Sequence, residues 1–257
     1  MCPSPPPAPR RRWPWTLLVV VACSLVGCAP AAAAPHPIVV FAAASLTAPF
    51  QALAAAFEQA VPGSAVELHF AGTPSLLVQL REGAPADVFA AADENNMQRA
   101  AAADLLVGAA QVFASNHLAI VVTAGNPQRI TGLEDLARDG LRVALCGPEV
   151  PAGSYARQAL AKAGVEVRSL SDEPSVTALV AKVRLGELDA GIVYATDVTD
   201  VAEVAGVAVP EAFDVRARYP IAVAAAGLQR DGGARFVAFV LSPAGRAILR
   251  DFGFGAP

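Results

Sequence analysis

Val39-Val40-Phe41-Ala42-Ala43-Ala44-Ser45-Leu46 is a short apolar run that ends in three alanines and a serine. Directly behind it, residues 46–60 are rich in alanine and carry Leu53 and Phe57 four apart, a helical spacing. A strand that turns straight into a helix delivers a hydroxyl and a row of free backbone N–H groups to one point. Those first-turn groups have no carbonyl partner within the helix, and the helix dipole adds partial positive charge. Such a corner suits an anion. A single one is also an ordinary helix cap, so its meaning depends on how many similar corners the chain holds.

The alternation continues outward. Strand patterns at 38–42, 66–70, 88–91, 117–123, 142–145, 191–194 and 219–224 interleave with helical patterns at 46–60, 75–81, 94–103, 154–163, 176–185, 234–240 and 243–250. This predicts an α/β fold of parallel sheets with helices on both faces. There is also an internal echo. Gly83-Ala84-Pro85-Ala86-Asp87-Val88-Phe89 and Gly186-Glu187-Leu188-Asp189-Ala190-Gly191-Ile192 each place a glycine after a helix and an aspartate before an apolar strand. Asp87 and Asp189 read as turn residues rather than ligands, and the echo fits two lobes of similar build.

The N-terminus reads as an export leader. Arg10-Arg11-Arg12 is a positive cluster, residues 17–26 are mostly apolar and too short for a convincing span, and Leu25-Val26-Gly27-Cys28 looks like a bacterial lipobox. The favoured reading makes 1–27 a lipoprotein signal peptide, Cys28 the lipidated first residue of the mature chain, and 28–37 a Pro/Ala tether to a membrane. The alternative is an ordinary signal peptide cut near 31–34. Of four cysteines, Cys2 and Cys23 fall in the leader and Cys28 takes the lipid. Cys146, in Val143-Ala144-Leu145-Cys146, is left without a partner and reads as a small buried apolar residue.

The chain's formal charge of −4 becomes more negative once the basic leader is gone. No basic stripe or nucleic-acid motif occurs, so nucleic acid is not an expected partner. No Cys–His spacing supports a metal site.

Three further corners resemble the first. Gly72-Thr73-Pro74-Ser75 offers Thr73 as a helix cap with Pro74 just inside; Pro148-Glu149-Val150-Pro151-Ala152-Gly153-Ser154 is a proline-bounded turn whose small pair Ala152-Gly153 permits close approach; Asp172-Glu173-Pro174-Ser175-Val176 leads into another helix. Tyr194 adds a phenol at the end of a strand, at the carboxyl edge where ligands of open α/β sheets bind. The four corners and Tyr194 together would form a donor-only cage.

On these residues the chain carries a resemblance. Val-Phe-Ala-Ala-Ala-Ser-Leu (40–46), Phe-Ala-Gly-Thr-Pro-Ser-Leu (70–76), Gly-Ala-Pro-Ala-Asp-Val-Phe (83–89), Val-Pro-Ala-Gly-Ser-Tyr-Ala (150–156), Asp-Ala-Gly-Ile-Val-Tyr (189–194) and Tyr-Pro-Ile-Ala-Val (219–223) resemble the periplasmic molybdate-binding proteins of ABC importers, in order over about residues 38–254. The resemblance implies a two-lobed class II periplasmic binding protein fold. Each lobe would be a mixed, mostly parallel sheet flanked by helices, with lobe 1 from 38–116 plus 221–257, lobe 2 from 117–220, and the ligand in the cleft. It implies high-affinity binding of molybdate or tungstate by a monomer, delivery to an ABC permease, and no cofactor. Carried over position by position, the hydroxyls would come from Ser45, Thr73 and Tyr194, and backbone donors from Ser45, Thr73, Ala152 and Val176. The chain departs from the family pattern at Gly72-Thr73-Pro74-Ser75, where many members have serines, and at Thr177, where an arginine is common.

A cage of this kind would offset the burial of a dianion by hydrogen bonds rather than by Lys or Arg. Donors alone also select against hydrogen phosphate, which must donate a proton. Sulfate passes that test and is the alternative ligand. A serine hydrolase built on Ser45 or Ser154 is the remote alternative. Only His36, His69 and His117 are available as bases; the first lies in the tether, and the other two read as sheet residues. No Gly-x-Ser-x-Gly elbow occurs.

Overall fold

The computed structural model describes residues 36–199 and 201–257, together with Met1, Pro3 and Ser4. Apart from those three, the expected leader, the lipobox cysteine and the tether up to residue 35 lie outside the described residues. Among the described residues no helix is long and apolar enough to cross a membrane.

The first sheet takes the order β2-β1-β3-β10-β4. Its strands are β1 (Ile38–Ala43), β2 (Val66–Ala71), β3 (Val88–Ala90), β4 (Leu106–Asn116) and β10 (Ala217–Ala224). The second takes the order β7-β6-β8-β5-β9. It uses β5 (Leu118–Thr123), β6 (Val143–Cys146), β7 (Asp172–Glu173), β8 (Ala190–Tyr194) and β9 (Val204–Ala208). Both sheets are mixed. The pairings β1–β2, β1–β3, β6–β7 and β6–β8 are parallel, as the alternation predicts; β10 with β3 and β4, and β5 with β8 and β9, run antiparallel. The helices are α1 (Thr47–Ala60), α2 (Thr73–Arg81), α3 (Glu94–Ala102), α4 (Pro151–Ala163), α5 (Val176–Arg184), α6 (Arg230–Leu241) and α7 (Pro243–Asp251).

The two sheets repeat one plan. In each, an inner strand leads into a helix (β1 to α1, β6 to α4), the edge strand beside it leads into the next (β2 to α2, β7 to α5), and the middle strand of the sheet lies on its other side (β3, β8). The echoed aspartates mark the same joint twice. Asp87 exchanges its N–H with the carbonyl of Val39, and its Oδ2 accepts Val39 N–H at 2.8 Å. Asp189 does the same with Arg142, its N–H reaching the Arg142 carbonyl while Oδ2 accepts Arg142 N–H at 2.8 Å. Each carboxylate pins the start of that inner strand, and neither aspartate lines the site described below.

Burial explains the layering. β1 and β8 are almost wholly buried because helices cover both faces, so they read as unbroken apolar runs. Phe50, Phe57 and Phe236 pack edge-to-face beneath the first sheet, and Phe113 continues the stack to Tyr219. Cys146 is fully buried, and burial pushes its thiol up to about 12, which fits the expected packing role.

The chain crosses between the sheets at 116–118 and again between β9 and β10. The C-terminal residues brace these crossings. Ser115 pairs with Gly255 in an isolated bridge and donates its hydroxyl to the Ala256 carbonyl, while Arg216 Nη2 reaches Ser115 Oγ at 2.8 Å.

Candidate functional site

The four corners and Tyr194 come together. Ser45, Thr73, Ala152, Val176 and Tyr194 all line one small cavity, with a volume of about 10 Å³, between the carboxyl ends of the two sheets. All five are buried. The shared plan explains the convergence: Ser45 follows β1 as Ala152 follows β6, and Thr73 follows β2 as Val176 follows β7.

Ser45 sits in a single 3₁₀ turn, Ala44–Leu46, before α1. Its Oγ lies 3.3 Å from the hydroxyl of Tyr219, and either group can donate; with Tyr219 donating, the serine proton is free to point into the cavity. Thr73 is the first residue of α2 rather than its cap, a correction to the sequence expectation. Gly72 takes the cap position with φ −57° and ψ 138°, and no side chain caps this helix. The Thr73 hydroxyl turns instead to accept Ala92 N–H at 3.3 Å, again keeping a proton to donate.

The helix of the third corner, α4, begins earlier than its pattern predicts, at Pro151, so Ala152 and Gly153 both fall in its first turn. The small pair does permit close approach, but to the protein itself. A Cβ on Gly153 would lie 2.2 Å from the carbonyls of Cys146 and Gly147, so this glycine seats α4 against the end of β6. Proline at the start of α4 has no N–H to satisfy, and Ala152 carries the first free one. At the fourth corner Ser175 is a true cap, accepting Ala178 N–H at 3.2 Å, and Val176 N–H opens the helix.

Tyr194 ends β8. Its backbone N–H donates to Asp197 Oδ2 at 3.0 Å, but its buried hydroxyl has no hydrogen-bond partner among the described residues. Asn96 Oδ1 is the other buried side-chain atom in that condition, although the rest of its amide bonds to Asp93. Burial raises the Tyr194 phenol well above its ordinary value, so it stays protonated and can only donate to an anion.

None of the residues lining this cavity is charged. Two buried carboxyls beside lining residues are pushed toward neutrality: burial raises Asp197, which accepts Tyr194 N–H, to about 7, and raises Asp93, next to Ala92, against the opposing bonds from Asn96. A larger cavity of about 540 Å³ shares Ala44 and Ser45 with the first, but it mixes Arg184, Asp197 and Asp251 with apolar Val180, Val201 and Phe252. It also carries the hydroxyls of Thr47, Thr177, Thr196 and Thr199, but it includes none of Thr73, Ala152, Val176 and Tyr194.

Sequence reasoning placed Tyr219 on a strand and no more. Its contact with Ser45 spans 174 positions, and its ring packs at 5.6 Å from that of Tyr194. The only sequence signal was its place at the head of the Tyr-Pro-Ile-Ala-Val motif. Ala92 was also missed; it follows β3 as Tyr194 ends β8, at the equivalent place in the first sheet.

Two mixed sheets with helix starts converging on a small, donor-lined cavity are the frame of a solute-binding protein. The bacterial extracellular solute-binding protein family matches residues 38–255, and the chain belongs to that family. Among its relatives, the molybdate-binding protein ModA of Mycobacterium tuberculosis (strain ATCC 25618 / H37Rv) is 43% identical over 243 residues, covering 93% of each chain. In fold, the periplasmic molybdate-binding protein of Azotobacter vinelandii superposes with a TM-score of 0.75 at 20% identity, over 86% of this chain and 99% of that one. The sulfate-binding protein SubI of Mycobacterium tuberculosis H37Rv superposes with a TM-score of 0.76 at 19% identity, over 85% of this chain and 86% of that one. The periplasmic binding protein-like α/β architecture expected from the sequence is therefore present.

Proposed function

We propose that this protein binds molybdate, or tungstate, outside the cytoplasm and hands it to an ABC permease. The observation that carries the reading is the unpartnered, buried, protonated hydroxyl of Tyr194 in a cavity lined by Ser45, Thr73, Ala152 and Val176. Molybdenum is held here as its oxyanion, with no direct metal ligand and no cofactor. Hydrogen bonds to a charged acceptor contribute roughly 1.5–3 kcal/mol each, so three hydroxyls and four backbone N–H groups suffice after the cost of closing two lobes. The 43% identity to a protein named for molybdate binding supports the choice of ligand.

In this reading lobe 1 is 38–116 plus 217–257 and lobe 2 is 117–216; the boundary expected at 220/221 moves because β10, Ala217–Ala224, pairs along its whole length within the first sheet. The protein works as a monomer, anchored by lipid on Cys28 after export. It is not an enzyme: Ser45 has Tyr219 beside it rather than a base, and Ser154 Oγ accepts from Gln158.

Isothermal titration of residues 29–257 with molybdate, tungstate, sulfate and phosphate tests the reading. Tight binding of molybdate with phosphate silent is the expected result; binding of sulfate with molybdate silent overturns it. Sulfate is the second reading because the fold is shared with a sulfate-binding protein and a donor-only cage suits both ions.

A further inference from the structure

We propose that the contact between Gly72 and the carbonyl of Pro174 is the stop that fixes how far the two lobes close, and with it the size of oxyanion the cage accepts. The inference rests on the oxyanion reading above and adds to it the residue that sets the cage's dimensions.

Gly72 belongs to the first sheet's half of the site and Pro174 to the second's. The backbone of Gly72 does not need glycine, since φ −57° and ψ 138° are open to any residue. Space is what demands it. A Cβ at position 72 would lie 2.2 Å from the Pro174 oxygen, a backbone atom with no rotamer to move aside.

Both sides of the contact are held. The Gly72 carbonyl accepts the N–H groups of Ser75 and Leu76. Pro174 lies between Glu173, whose carbonyl accepts Gly147 N–H, and Ser175, which caps α5. Gly72 is the residue before Thr73, and Pro174 stands two before Val176, so this contact sets the distance between donors on opposite walls. Arg99 Nη1 meets Glu149 Oε2 at 2.8 Å across the same rim. Both side chains are well exposed, so this pair guides closure more than it limits it.

Hydrogen bonds to a central anion hold only near 2.7–3.2 Å. A rigid stop therefore sets the separation of the two donor sets, and a smaller ion cannot draw them together past it.

Gly72→Ala tests the stop. The ligand-free variant should unfold at the wild-type midpoint, because the contact belongs to closure. Its affinity for molybdate should fall at least tenfold in titration calorimetry, with sulfate, the smaller ion, losing more. Small-angle scattering should show less contraction on adding molybdate than the wild type shows. Wild-type affinity in Gly72→Ala overturns the proposal. So does a ligand-free midpoint lowered as far as Gly153→Ala lowers it, since the contact would then be part of the fold. If the wild-type protein is silent to molybdate but binds sulfate, the ligand assignment fails while the same comparison, run with sulfate, still decides the stop. Binding of none of these ions by the wild type overturns both.

Discussion

A phenol hydroxyl shut away from water without an acceptor costs about 1–3 kcal/mol, and in the closed cleft Tyr194 makes no bond to the described residues through its hydroxyl. Tyr194→Phe should therefore leave the free protein as stable as the wild type or more so, while molybdate affinity falls about ten- to a hundredfold, the equivalent of one charged hydrogen bond. Calorimetry paired with thermal unfolding separates the two effects. Tyr219→Phe acts one step back. It removes the partner that holds Ser45 Oγ at 3.3 Å, so affinity should drop several-fold with no change of ligand preference. Ser45 and Tyr194 were legible in the sequence because each ends a recognisable strand. Tyr219 was not legible as part of the site, since its role exists only after the first and last strands of the first sheet are brought together.

Helix starts are the working elements of this molecule, and each is built differently. α5 has a side-chain cap; α2 and α4 have none and begin with Pro at or next to their first residue. Ser175→Ala should cost about 1 kcal/mol of stability, measured by urea unfolding, and loosen Val176 N–H in the same step. Gly153→Ala forces a Cβ into the carbonyls of Cys146 and Gly147 and should cost about 1–3 kcal/mol or more as α4 lifts from β6. Most elements could be read from periodicity, but β4 could not. Its first half, Leu106-Val107-Gly108-Ala109-Ala110-Gln111, is largely exposed and rich in glycine and alanine, so neither alternation nor strand preference marks it. It is a strand because β10 pairs along it, with register shifts. The antiparallel halves of both sheets were hidden for a similar reason: pairing direction depends on the crossings between sheets, which no local pattern records.

At the scale of the whole molecule, acid and base act on different groups. Glu173 is pulled up by burial, but its bonds from Lys182 and Ser171 outweigh that and hold it below the ordinary carboxylate range. Asp189 is held low by Arg142. Both favour the fold above the usual carboxylate pKa and lose that contribution in acid. Asp197 has the opposite sign. Its carboxyl is raised from 3.8 to about 7, so the fold binds its proton more tightly than the unfolded chain does. That contribution is complete below about pH 4 and is lost as pH rises through about 7. The melting temperature of Asp197→Asn relative to wild type should therefore climb between pH 4 and 7 and level off above. Saturating molybdate should raise the melting temperature at every pH, by an amount that grows with the logarithm of its concentration.

On the proposed reading the donors are divided between the two sheets, so each half alone holds only part of the shell an anion needs. Parting the lobes removes several bonds in one movement, so affinity is a steep function of opening and not of chemistry. No proton has to arrive and no cation has to leave for the cargo to be let go. Occupancy would thereby be translated into outline: a loaded molecule and an empty one would differ in shape, and a partner that reads shape could sort them without ever touching the ion.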